Sequence, residues 1–181
     1  MRVSLSSIRP EDSEILFRWI NDPETVRFNA PYRPVHWASH EAWVRSLGAS
    51  PSRQVFAIRE GDRLVGVVQI LDIDSIHRSA ELTIRIGDRA DRGRGFGTEA
   101  LRLAVDFAWR DLNLHRVWAR VFATNTRSVR AFRKAGFFEE GCLRDAAYID
   151  GRYVDMRVFG ILRGEADEQA VAADEAIPTP S

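Results

Sequence analysis

A glycine-rich loop that joins a strand to a helix is the feature that most constrains the fold of this chain. Residues 80–86 alternate as a β-strand does, and an apolar helical face follows at Leu101, Ala104, Val105, Ala108 and Leu112. The loop between them reads Arg92-Gly93-Arg94-Gly95-Phe96-Gly97-Thr98. Backbone N–H groups and the helix dipole both favour an anion there. The loop therefore predicts a phosphate-bearing ligand, with Arg92 and Arg94 adding charge; a plain flexible turn is the alternative.

Two other kinds of phosphate loop fit this segment poorly. A Walker loop ends in Gly-Lys-Ser/Thr, whereas Thr98 follows Gly97 with no lysine between them. A dinucleotide fingerprint needs Gly-x-Gly-x-x-Gly, but Thr98 stands three residues after Gly95, and no acid ends the strand near Arg120. The spacing thus argues against both a nucleoside triphosphatase and a dinucleotide-binding domain.

The remaining pattern predicts a mixed sheet in a single α/β domain. Helices are expected over residues 10–20, 39–47 and 126–135, besides the one after the glycine loop, and an irregular stretch follows Asn21-Asp22-Pro23. Strands are expected over residues 54–58, 64–70, 80–86, 116–122, 137–149 and 152–162. Asp150-Gly151 marks a closing hairpin. This order favours a mixed sheet over a doubly wound parallel one.

Length and composition set the domain limits and exclude several classes of partner. The 181 residues fit one domain, predicted over residues 1–163, and the aperiodic Ala-, Glu-, Asp- and Pro-rich residues 164–181 are predicted to be disordered. Basic and acidic residues number 26 each, so neither nucleic acid nor an anionic membrane is expected as a partner. No run approaches the roughly 18 apolar residues of a membrane span, and no signal segment is expected.

The cysteine content bears on metal sites and on the compartment. Cys142 is the single cysteine, so an internal disulfide and a cysteine-based metal cluster are excluded, and no metal is expected. A reducing cytoplasm is the predicted location, and Cys142 is expected to be a small buried hydrophobe.

Two motifs give the chain a resemblance to a known superfamily. Arg92-x-x-Gly95-x-Gly97 resembles the pyrophosphate loop of GNAT N-acetyltransferases, and Asn125-x-x-Ser128 ahead of Gly136-Phe137 resembles their second coenzyme A region. Residues 80–82, 92–101 and 136–155 resemble the RimJ/RimL-type branch, which acetylates N-terminal amines and many small amines. The resemblance covers about residues 5–163.

The resemblance implies a fold, a cosubstrate and a set of binding residues. The fold would be a central sheet of about seven strands, mixed but mostly antiparallel, flanked by helices, with the pyrophosphate loop in a β-α-β crossover. Acetyl-CoA would be the acetyl donor, with Thr98 capping the helix and Asn125 near the thioester. The residues implied to hold it are Ile84, Arg85, Ile86, Arg92, Gly93, Arg94, Gly95, Phe96, Gly97, Thr98, Asn125 and Ser128. For Asn125 an ordinary helix N-cap is the alternative interpretation.

Direct acetyl transfer needs a base for the amine and an acid for the departing thiolate. Glu81, on the strand expected to meet the cofactor, is the candidate base, although a structural ion pair would also explain it; His36, His40 and Glu41 are the next candidates. Phe132 occupies the position where many GNAT enzymes have a tyrosine. The acid is therefore expected to be Ser128, Tyr148 or water. Ala147 stands where the ribosomal branch often has an acid, which argues against a strictly ribosomal substrate.

The acceptor site is expected among aromatic and basic residues near the first two helices. Those residues are Arg27, Tyr32, His36, Trp37 and His40. The predicted acceptor is a protein N-terminus or a small primary amine, and the amino group of a nucleotide-activated sugar is the alternative. Phe132 and Ala147 also leave open a catalytically weak acetyl-CoA-binding regulatory module. A homodimer through the closing hairpin would be ordinary for the superfamily.

Overall fold

The computed structural model describes residues 2–26 and 33–165, which form one mixed sheet with helices on both faces. The strands are β1 (Ser4–Ser6), β2 (Gln54–Glu60), β3 (Arg63–Asp74), β4 (Ser79–Ile86), β5 (Arg116–Phe122), β6 (Phe138–Ile149) and β7 (Arg152–Leu162). The helices are α1 (Ser13–Asn21), α2 (Pro23–Val26), α3 (Trp37–Arg45), α4 (Phe96–Arg110) and α5 (Thr126–Lys134). The sheet order is β1-β2-β3-β4-β5-β7-β6, and only β4 and β5 pair in parallel.

The predicted mixed sheet and the predicted closing hairpin are confirmed, and β2 and β3 form a second hairpin. β2 and β3 pair antiparallel down to Glu60 and Arg63. In the closing hairpin, Asp150 and Gly151 have φ values of 50° and 77°, the double positive φ of a type I′ turn. The β4-α4-β5 crossover joins the parallel pair, as the order of elements required.

The structure departs from the predicted elements at three places. β1 was not predicted, because three residues are too few to show alternation. The predicted irregular stretch begins with the one-turn helix α2, where the Asp22 carboxylate accepts a hydrogen bond from Thr25 N at 2.8 Å. The predicted cap at Thr98 is wrong: α4 begins at Phe96 with Gly95 as its N-cap, so Thr98 lies in the first turn.

Two apolar layers cover the two faces of the central sheet. The larger layer packs the sheet against α4 and α5, and Phe132 belongs to it, only 2% exposed and in ring contact with Phe137 and Phe159. The smaller layer joins the opposite face to α1 and includes Leu16, Trp19 and Val67. Phe132 therefore serves the core, which accounts for an apolar residue at a position where a proton donor had to be considered.

A buried ion pair fixes the first helical segment to the sheet. Asp12 Oδ2 accepts a hydrogen bond from Arg59 Nη2 at 2.5 Å, and both side chains are almost fully buried. Arg9 N donates to the same carboxylate oxygen, and Arg59 Nε donates to Ser6 Oγ. The partners are thus mutually compensated, as buried charges require.

Cys142 does not behave as predicted. It lies on β6 and is exposed, because the outer strand of the sheet has solvent on both sides over most of its length. Within residues 2–26 and 33–165, no helix is long and apolar enough to cross a membrane, and no group of His, Cys, Asp and Glu side chains could hold a metal ion.

Candidate active site

A cleft opens where β4 and β5 separate. The two strands pair only through Ser79–Glu81 and Arg116–Trp118, so the edge of residues 82–86 that faces β5 has no strand beside it. The cavity there has a volume of about 400 Å³. It is lined by Glu24, Thr25, Ile84, Arg85, Ile86, Asp91, Arg92, Gly93, Gly95, Gly97, Thr98, Asn125, Arg127, Ser128, Arg130, Ala131 and Lys134.

The glycine loop forms one end of this cleft and has the geometry of an anion site. Gly93 and Gly95 have φ values of 81° and 91°, a region that disfavours other residues. Gly95 caps α4 without a side-chain hydrogen bond, which leaves N–H groups of the first turn available to a ligand. A Cβ on Gly97 would lie 3.7 Å from Ile86 Cγ1, so Gly97 faces the β4 wall of the cleft. The predicted site for a phosphate-bearing ligand thus has a matching structural basis.

A charge network holds the loop against the β2–β3 hairpin. The Asp91 carboxylate, 3% exposed, accepts hydrogen bonds from Arg63 at 2.7 and 2.9 Å and from Arg94 at 3.0 Å. Both arginines also bond to Glu60. The hydrogen bonds from Arg63, and secondarily those from Arg94, lower the pKa of Asp91. The loop is therefore positioned by side chains on two other elements before any ligand binds.

Three loop side chains that were predicted to bind the cofactor make contacts within the protein. Arg92 Nη2 donates to Thr25 Oγ1 at 3.0 Å and to the Gly87 carbonyl at 2.9 Å, so it ties α2 to the loop. Arg94 is engaged with acids and lies over the Phe96 ring, 4.6 Å from its centroid. The Phe96 side chain is in the core. Arg94 and Phe96 do not line the cleft, whereas Arg92 does.

Cations on α5 form the opposite wall. Arg127, Arg130 and Lys134 line the cleft with Ala131, at the spacing of one helical face. Their position across the cleft from the glycine loop suits contacts with the phosphates of a coenzyme.

Asn125 has the structural role that was considered as its alternative. Its side-chain oxygen accepts a hydrogen bond from Ser128 N at 3.1 Å, which caps α5. It also lines the cleft, so capping and ligand contact are compatible.

Asn125→Ala is expected to lower the free energy of unfolding by about 1 kcal/mol, because the cap is lost and the Ser128 amide has no replacement acceptor. Chemical denaturation without ligand measures this change. An unchanged unfolding midpoint would show that the cap contributes nothing.

Glu81 lies at the point where the two strands separate. It is the last β4 residue paired with β5, and its carboxylate accepts two hydrogen bonds from Arg120, from Nε and Nη2, each 3.0 Å. The pair raises the pKa of Arg120, whose side chain is 47% exposed and lies over the Trp118 ring. Glu81 thus forms an ion pair at the point where the two strands separate, although it is not among the residues that line the cleft.

Several predicted site residues lie elsewhere. Tyr148 is 54% exposed at the end of β6, in edge contact with Tyr153, and is not among the residues that line the cleft. His40 is buried against α1, within 2.8 Å of the Ser13 carbonyl oxygen, and belongs to an aromatic cluster with Trp37. His36 is exposed at the start of α3.

Arg27 and Tyr32 lie outside the described residues. Their predicted contacts with the acceptor, like those of His36, Trp37 and His40, stay predictions. Glu24, Thr25 and Asp91 also line the cleft. They were not predicted as site residues, because no sequence motif surrounds them.

This combination of features is typical of an acyl-CoA-dependent acyltransferase: a seven-stranded mixed sheet, a parallel strand pair that separates at one end, and a glycine loop at the N-terminus of a helix. The chain belongs to the GNAT acetyltransferase family, since the family model described as "Acetyltransferase (GNAT) domain" matches residues 2–138. N-acetyltransferase p20 of Bacillus licheniformis, which is uncharacterized, is 30% identical over 169 residues, 91% of this chain and 94% of that protein.

Two further comparisons concern polyamine enzymes. Spermidine N(1)-acetyltransferase of Vibrio cholerae is 34% identical over 111 residues, 61% of this chain and 64% of that protein. The crystal structure of spermidine N-acetyltransferase from Vibrio cholerae in complex with CoA and spermine matches with a TM-score of 0.82 at 26% identity, covering 91% of this chain and 97% of that one.

The chain is an acetyl-CoA-dependent enzyme that acetylates amines. Its residues fit the cosubstrate: the loop offers backbone N–H groups to a pyrophosphate, the unpaired edge of β4 can accept an extended pantetheine, and α5 adds cations.

Proposed function

We propose that this enzyme transfers an acetyl group directly from acetyl-CoA to a primary amine, with Glu81 as the general base. The observation that carries the proposal is the position of Glu81, at the point where β4 and β5 separate. In water at neutral pH a primary amine is largely protonated, so a carboxylate at this point can take its proton before attack.

The other proposed roles follow from the walls of the cleft. Acetyl-CoA supplies the acetyl group as a thioester. Main-chain N–H groups on the free edge of residues 84–86 stabilise negative charge on the acetyl oxygen. The Ser128 hydroxyl lies on α5 at the cleft and is the proposed proton donor to the departing thiol. Tyr148, on the outer hairpin, is not part of this proposal.

For the acceptor, we propose a protein N-terminus or a small primary amine. The RimJ/RimL-type motifs of residues 80–101 support the first, and the polyamine relatives support a small amine. The amino group of a nucleotide-activated sugar is the second candidate.

We further propose that the enzyme is cytoplasmic and that it assembles as a homodimer.

A panel of acceptors tests the function. Peptides, polyamines, amino acids and amino-sugar nucleotides are each incubated with acetyl-CoA, and free thiol is measured. Amine-dependent release of CoA supports the proposal. Binding of acetyl-CoA without thioester cleavage for any amine would support the regulatory module instead.

Acetyl-CoA is expected to raise the melting temperature. A ligand at about 100 times its dissociation constant stabilises the native state by about 2.7 kcal/mol. For a domain of this size, that is a shift of roughly 5–10 °C. Differential scanning fluorimetry with acetyl-CoA, and with adenosine as a control lacking the pyrophosphate, measures it. No shift at saturating acetyl-CoA would contradict the cofactor assignment.

A further inference from the structure

Arg85 is a half-buried arginine of the cleft whose guanidinium has no partner in the part of the chain that the structure describes. Its Nε is inaccessible to solvent and has no hydrogen-bond partner in the part of the chain that the structure describes. No hydrogen bond or ion pair of its guanidinium appears among residues 2–26 and 33–165, although Arg85 is one of the residues at the cavity. Burial lowers the pKa of Arg85, yet a guanidinium keeps its charge at neutral pH. Arg85 is half-buried, so its charge is partly desolvated, and an anion supplied by a ligand would offset that cost.

The nearby acids cannot serve this purpose, since each is engaged with another group. Glu24 faces Arg89 and Arg92, and Asp88 accepts from the Trp19 indole. Asp91 is held by Arg63 and Arg94, and Glu81 by Arg120. Among residues 2–26 and 33–165, none of these acids is therefore free to pair with Arg85, and the anionic group of a bound ligand can serve as its partner.

The Arg85 side chain points away from the predicted phosphate site. Ile84 and Ile86 pack toward α4 and the glycine loop, so Arg85, which alternates with them, projects from the opposite face of β4. Its partner in the β3 ladder, Val67, belongs to the apolar layer under α1. Phosphates held by the loop and the start of α4 would lie across the strand from this guanidinium.

Glu81 shares the face of Arg85, because the two are separated by an even number of residues. Four residues of extended strand place their Cα atoms about 13 Å apart. An acceptor whose amine meets Glu81 can thus extend along β4 and bring a second group to Arg85, at a separation on the order of 10 Å.

We propose that Arg85 is the acceptor-recognition residue, and that the preferred amine carries a carboxylate or phosphate bound by its guanidinium. This inference rests on the proposed function. It predicts that a polycation such as spermidine is a poor acceptor, because its second charge would meet an uncompensated arginine. Short peptides with a free carboxylate and phosphorylated amino sugars both have the required chemistry.

Matched acceptor pairs test the proposal. Trialanine is compared with its C-terminal amide, glucosamine 6-phosphate with glucosamine, and spermidine is the polycation. For wild type, removing the carboxylate or phosphate is expected to lower kcat/KM about 10- to 100-fold, the effect of losing one charge-assisted contact. The peptide pair tests recognition of a carboxylate, and the sugar pair tests recognition of a phosphate. In Arg85→Gln the ratio within each pair should fall to about one, and Arg85→Glu should shift preference toward spermidine.

Controls separate this result from loss of folding or of the cofactor site. Arg110→Gln removes one exposed arginine near the end of α4 and should keep the wild-type ratios. Arg85→Gln should keep the thermal shift with acetyl-CoA, and it should lose the added shift that trialanine gives to the CoA complex. Equal use of both members of each pair by wild type would overturn the proposal, and so would a smaller acetyl-CoA shift in Arg85→Gln. Absence of any acetylation together with absence of an acetyl-CoA shift would overturn the proposed function itself.

Discussion

Replacing Glu81 by Gln is expected to lower kcat by roughly 10²–10⁴-fold, the usual contribution of a general base. The KM for acetyl-CoA should change little, because the residues that line the cofactor cleft are untouched. Part of the lost rate should return at high pH, where the amine deprotonates without help. The pH dependence of kcat, measured for both proteins, checks the role directly.

The chain offers a matched control for this substitution. Glu140 accepts hydrogen bonds from both Nη atoms of Arg116, on the same face of β5 as Arg120, but away from the cleft. Glu140→Gln thus removes a comparable ion pair without touching the proposed base, and it should keep kcat. Wild-type turnover in Glu81→Gln would show that the carboxylate only pairs with Arg120. Equal loss of turnover in both variants would point to a defect in the sheet.

The fold could be predicted from the sequence wherever the information is local. Hydrophobic periodicity gave β5 and β7 their bounds, and Asp150-Gly151 identified the final turn, because these signals lie within a few residues of each other. The three-residue β1 could not be found, since its place depends on pairing with β2, more than fifty residues later.

The backbone elements of the candidate site could be predicted from the sequence, but the contacts of its side chains could not. The glycine loop was found because its function depends on consecutive main-chain N–H groups. The partner of the Arg92 side chain could not be predicted, because Thr25 lies 67 residues away in the chain. Arg85 shows the same limit: it was predicted only as a cofactor-binding residue, and the lack of a partner for its guanidinium among the described residues becomes evident only from the structure.

Gly97→Asp is expected to abolish the acetyl-CoA thermal shift while leaving the ligand-free protein folded. Gly97 does not have a positive φ, and the nearest atoms to an added Cβ are Ile86 Cγ1 at 3.7 Å and Ile84 Cδ1 at 4.0 Å, which are ordinary contacts. An acid in the first turn of α4 also suits the helix dipole, so ligand-free stability should hold or rise slightly.

The same carboxylate would oppose a bound pyrophosphate. At about 4 Å and an effective dielectric constant near 20, two negative charges repel by about 4 kcal/mol, which weakens binding roughly a thousandfold. Gly97→Asn has nearly the same shape without the charge and should retain part of the shift. Gly95→Asp is a poorer test, because φ there is 91° and a Cβ would lie 2.7 Å from Arg2 Nη2, so strain would obscure the electrostatic effect. Calorimetric titration of the two Gly97 variants decides the matter: equal affinities for acetyl-CoA would place the pyrophosphate away from the start of α4.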